Sequence, residues 1–122
     1  MRDVALILVG VFMLGMGVYA LAMPAALVRP FGIAIESAVS RSEIRAVYGG
    51  FGLAMAGLLF WTATGDDQLR NGAALTVGVA LGGMAAGRLL SRILDEGTSF
   101  YPIWFYFLVE VAAAALVIGV VV

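Results

Sequence analysis

The chain has 122 residues, 63% of them hydrophobic and 12% charged, with a mean hydropathy of +1.07 and a net charge of −1. A soluble domain is about a quarter charged, so the polar surface is too small to cover a water-soluble globule. A single integral membrane domain spanning 1–122 is expected. The basic residues are all arginine and thinly spread, which excludes a nucleic-acid footprint; the lack of cysteine and histidine excludes disulfides, thiol or imidazole catalysis and the usual zinc and haem ligation.

A helix needs about 20 apolar residues to cross the hydrocarbon, and the sequence offers four such stretches. The first covers residues 4–23, which is longer than the roughly 7–15 apolar residues of a leader peptide and is therefore read as a true span. Pro24 ends it, because proline cannot continue a helix without losing a hydrogen bond. The following "PAALVRPFGIAIESAVS" is too short and interrupted to cross. Phe31, Ile35 and Ala38 share one helical stripe, so a short helix lying in the interface is expected there.

The second span is expected at about 44–64, the third at about 69–94 and the fourth at about 102–122. Ser40-x-x-Glu43 ahead of the second has the form of a capping box. Pro102 suits the first turn of the fourth. Trp61 at one end, and Tyr101, Trp104 and Tyr106 at the other, suit aromatic belts at headgroup level. The fold class is thus an all-α membrane protein: a four-transmembrane-helix bundle with a short interfacial helix between spans one and two.

Small residues permit close backbone approach where lipid supplies no hydrophobic drive. Span three carries two ladders of them, Ala74, Gly78, Gly82 and Ala86, then Gly83, Gly87 and Ser91; Gly49 and Gly50 give span two a similar surface. Both packing inside the bundle and association with a second copy are compatible with these ladders.

Alternating spans bring the start of span two, the end of span three and the start of span four to one membrane side. With a rise of about 1.5 Å per residue, Arg45 lies roughly 7–8 Å inward, Arg88 roughly 10 Å and Glu110 roughly 12 Å. Arg45 has a long stem and can snorkel to the headgroups. Glu110 is short, and apolar residues follow it. Ionisable residues inside a membrane point to function or fixed register. Glu43, Arg45, Arg88 and Glu110 sum to zero charge, which suits pairing. Tyr48 shares the face of Arg45, Ser91 that of Arg88, and Tyr106 stands one turn before Glu110. These seven residues are expected to form a polar pocket roofed by residues 31–39.

"SEIRAVYGG", "GMAAGRLLSRILDEG" and a late glutamate together resemble the bacterial DUF4345 family, a four-helix membrane family that looks related to the DoxX-like proteins. The resemblance covers nearly the whole chain and falls on Glu43, Arg45, Tyr48, Gly49, Gly50, Gly87, Arg88 and Glu110. Ser42 stands where asparagine is expected, and "DEGTS" replaces a shorter Asp-Gly turn with proline. The resemblance implies the fold and the site, and it brings no established activity.

The residues support a pocket that binds a lipid, a quinone or another small amphiphile without catalysis, with no cofactor, catalytic group or metal site expected. The alternatives are an accessory subunit of a membrane complex, or a homo-oligomeric proton-coupled transporter using Glu110. Arg29, Arg41 and Arg92 flank the pocket side against Arg2 and Arg70 on the other. By the positive-inside rule the pocket side is then cytoplasmic and both termini lie outside, in a bacterial inner (plasma) membrane.

Overall fold

The computed structural model describes residues 2–121. It is built from helices, four of which are long and apolar enough to cross a membrane: Asp3–Ala22, Ala38–Ala63, Asp67–Leu94 and Phe100–Gly119. The first is α1 (Arg2–Ala22). The second joins α3 (Ala38–Ile44), a π-helical turn at Arg45–Gly50 and α4 (Phe51–Ala63). The third is α5 (Asp67–Leu94), and the fourth joins a π-helical turn at Phe100–Trp104 to α6 (Phe105–Gly119). Val122, the expected last residue of span four, lies outside the described residues.

The spans pack as two antiparallel pairs, α1 with α4 and α5 with α6, which meet through α4 against α5. Leu6, Val9, Leu59, Val77, Leu81 and Val117 form the centre of the core with Ala63, Ala74 and Ala114. This cluster carries no charge.

The start of span two differs from expectation. Ser37, in an extended conformation, is the helix cap, and its hydroxyl accepts a hydrogen bond from the Ser40 N–H at 3.1 Å. Ser40 therefore lies inside the first turn and forms no capping box with Glu43, which is exposed. Capping at the earlier serine starts the helix three residues sooner, at Ala38, a little under one turn. Asp66 caps α5 in the same way, accepting from the Leu69 N–H at 2.9 Å.

The interfacial piece is also displaced. Its helix is α2 (Pro24–Val28), followed by a single 3-10 turn at Arg29–Phe31, and residues 32–36 are non-helical. Proline explains the shift: Pro24 and Pro30 each open a helical turn with the φ that proline already has. Gly32, with φ +75°, then ends the second turn in a left-handed conformation that favours glycine. Ala20, Leu27 and Val28 make a small core beneath this segment.

Glycine packing is concentrated between α1 and span two. A Cβ at Gly17 would lie 3.0 Å from both the Gly49 carbonyl oxygen and the Leu53 nitrogen, and one at Gly49 would lie 2.7 Å from the Leu21 side chain. Gly78 packs against Ile118 in the same sense, at 2.5 Å. Ala74 of the expected span-three ladder is also buried, but its later glycines do not pack: nothing lies within 4 Å of a Cβ at Gly82, Gly83 or Gly87. Gly50 is exposed, its nearest neighbour being the Arg45 carbonyl of its own turn. The cause is helical phase. A four-residue ladder turns about 40° per step off a straight face, whereas the buried stripe is Ala74, Val77, Gly78, Leu81 and Ala85.

Candidate functional site

Arg88 on α5 and Glu110 on α6 meet across the second helix pair. The guanidinium donates through Nε to Oε1 of Glu110 at 2.9 Å and through Nη2 to Oε2 at 3.0 Å. This two-point geometry is the strong form of an arginine–carboxylate contact. Glu110 is 4% exposed and the Arg88 side chain 19% exposed. The carboxylate is thus enclosed, while the guanidinium keeps one accessible edge. Its positively charged carbon also lies 5.8 Å from the centroid of Phe31 and 5.7 Å from that of Tyr106, within cation–π range. Phe31 and Tyr106 contact each other with centroids 5.5 Å apart. The 3-10 turn therefore holds an aromatic ring over the ion pair, a role the sequence placed on the longer segment 31–39.

A cavity of about 100 Å³ opens beside this pair. Arg88, Glu110, Tyr106 and Tyr48 line it, with an otherwise apolar wall that includes Met13, Met16, Met84, Phe12 and Phe51. Methionine is flexible and polarizable, so a wall of this kind adapts to the shape of an apolar guest. The roof comes from Phe31, the first of the expected residues, together with Leu27 and Val28 ahead of them. The methionines and Phe12 were not singled out in the sequence; their signal is weak, because a methionine in an apolar span reads as ordinary filling.

Three expected pocket residues stand elsewhere. Arg45 does not line the cavity; its Nε donates to the Leu21 carbonyl at 3.0 Å. That carbonyl lies at the end of α1 broken by Pro24, so Arg45 acts as a helix C-cap, a place where both charge and hydrogen bonding favour arginine. Glu43 is exposed on α3. Ser91 opens on the outer side of α5, where it lines a separate groove together with Arg88. The pocket is therefore smaller than expected, with Arg88, Glu110, Tyr106 and Tyr48 as its polar members.

At the opposite end of the bundle, Arg70 pairs with Asp67 and donates through Nη1 to the Ala63 and Gly65 carbonyls at 3.2 and 3.4 Å. That arrangement closes the end of α4. Among the described residues no group of three or more histidine, cysteine or acidic side chains is placed to hold a metal.

No curated protein and no solved structure matches the chain. The family described as Domain of unknown function (DUF4345) matches residues 1–121, and the protein belongs to it.

Proposed function

We propose that the protein holds a small amphiphile, such as a lipid or a quinone, in the cavity beside Arg88 and Glu110 without chemically transforming it. The carrying observation is one polar pair set into an otherwise apolar wall. The two bonds to Glu110 use Nε and one hydrogen of Nη2, which leaves Nη1 to donate to a ligand oxygen. Because the pair is neutral overall, it suits a polar head of low charge, while the methionines and aromatic rings receive the apolar part. Pockets for small molecules have this character, mainly apolar with a few oriented polar groups.

Native mass spectrometry in mild detergent tests the reading. A bound small molecule is expected in the native protein and lost in Arg88→Ala, in Glu110→Gln and in Met16→Phe, which fills the cavity but keeps the ion pair. Retention of the same molecule by Met16→Phe and Arg88→Ala would rule the pocket out.

A second reading, an accessory subunit or a homo-oligomer, is favoured by Gly83 and Gly87, whose open backbone faces away from the bundle. Proton-coupled transport has less support, because the apolar core beyond Glu110 continues the polar path no further.

The motif resemblance supports a bacterial, DoxX-like origin and a place in the inner (plasma) membrane. With Arg45 exposed and Arg88 paired, the pocket end carries Arg29, Arg41, Arg45 and Arg92 against Arg2 and Arg70. The positive-inside rule then puts the pocket end in the cytoplasm and both termini outside. A C-terminal reporter active only in the cytoplasm would reverse that orientation.

A further inference from the structure

A groove of about 690 Å³ runs along the outer side of α5 at the pocket end, adjoining the interior cavity at Met84 and Arg88. Met84, Gly87, Arg88, Ser91 and Arg92 line it, and their spacing of three or four residues makes them one helical stripe. The loop after α5 adds Asp95 and Glu96, and the first turn of span four adds Ile103 and Trp104. Nothing lies within 4 Å of a Cβ at Gly87, so the backbone there is open to close approach.

The charges of this groove balance in an informative way. Arg88 and Arg92 stand on the helix, while Asp95 and Glu96 follow at its end. Arg88 is held on its other edge by Glu110. Arg92 folds back beneath the loop, since a Cβ at Gly97 would lie 3.3 Å from its Nε. Even so, among the described residues no ion pair joins Arg92 to Asp95 or Glu96. Cationic and anionic side chains therefore line one groove without a direct contact between Arg92 and the two carboxylates. Apolar side chains continue the groove toward the bilayer interior, with Met84 two turns deeper than Ser91.

We propose that this groove binds the headgroup of a zwitterionic phospholipid carrying a phosphate and a primary ammonium. The phosphate sits against Arg92 and the Ser91 hydroxyl. The ammonium faces Asp95 and Glu96. The acyl chains follow Met84, Ile103 and Trp104. A purely anionic headgroup would satisfy the arginines but leave the two carboxylates facing a negative charge. The apolar continuation favours a lipid over a soluble phosphate compound with the same headgroup. The site shares Arg88 and Met84 with the interior cavity but does not depend on that cavity being occupied.

The test uses the full chain in mild detergent, offered equimolar phosphatidylethanolamine and phosphatidylglycerol and read by native mass spectrometry. Phosphatidylethanolamine adducts are expected to exceed phosphatidylglycerol adducts by about threefold, the size of one exposed ion pair. Arg92→Ala should lower both adducts. Asp95→Asn with Glu96→Gln should reverse the preference toward phosphatidylglycerol. These residues are exposed and lie outside the interior cavity, so the variants keep the Arg88–Glu110 pair and separate this site from the interior one. Equal binding, a native preference for phosphatidylglycerol, or a ratio unchanged in the double variant would overturn the proposal. Displacement of the lipid by soluble glycerophosphoethanolamine would also overturn it, by showing that the apolar walls contribute nothing.

Discussion

Arg45 and Arg88 begin as near equals: both are arginines set inside apolar helices on the same side of the bundle, and their fates differ. Arg45 is exposed and closes the broken end of α1 through the Leu21 carbonyl. Arg88 reaches inward, meets Glu110 in two hydrogen bonds and is flanked by Phe31 and Tyr106. Depth alone does not separate them; the direction around the helix axis does. Arg45 opens the π-helical turn that packs against α1, whereas Arg88 lies on α5 opposite α6. An intramembrane charge is therefore a site candidate only when a partner faces it, and a helix end can be that partner as well as a side chain.

The largest break in this comparison comes from removing one member of the buried pair. Glu110→Leu leaves Arg88 uncompensated and should cost about 3–5 kcal/mol of stability. Adding Arg88→Met should restore most of that loss, because an apolar replacement of both partners is often neutral or better. Denaturation in detergent followed by circular dichroism would read both effects. A single variant as stable as the native protein would mean that the pair is not enclosed.

Glycine packing gives the next largest contrast. Gly17→Ala places a methyl group against the backbone of Gly49 and Leu53 and should cost about 1–3 kcal/mol, the range for overpacking. Arg45→Ala should cost about 1 kcal/mol, the net worth of one hydrogen bond, with no change in any ligand retained by the cavity. Gly83→Ala meets nothing within 4 Å and should instead raise stability by about 0.4–1 kcal/mol. A loss at Gly83 would reveal a partner helix on that face. The smallest effect is expected at exposed Glu43, where Glu43→Gln should change stability by no more than about 0.5 kcal/mol.

These predictions also mark what the sequence makes legible. Four spans follow from length and apolar content, because the hydrocarbon thickness leaves little freedom. The match in height of Arg88 and Glu110 follows from helical rise, and their opposite charges suggest the pair. The place of Arg45 is not legible in the same way: its partner is a backbone carbonyl in the last turn of α1, which no side-chain pattern announces. The cap was misplaced because Ser37 and Ser40 are both good capping residues, and local chemistry alone does not choose between them. Gly82, Gly83 and Gly87 look like a packing surface in the sequence, yet the helix phase turns them away from the bundle. Gly17 and Gly52, which do bring α1 and α4 together, lack such a ladder and pass as isolated glycines.

The most direct measurement is a double-mutant cycle on unfolding free energy, run once for Arg88→Met with Glu110→Leu and once for Arg45→Met with Glu110→Leu. The structure predicts a coupling of about 2 kcal/mol or more for the first pair, near the upper part of the range for residues in contact. For the second it predicts additivity within about 0.5 kcal/mol. Additive behaviour of Arg88 with Glu110, or strong coupling of Arg45 with Glu110, would contradict the assignment of one arginine to the pocket and the other to the helix end.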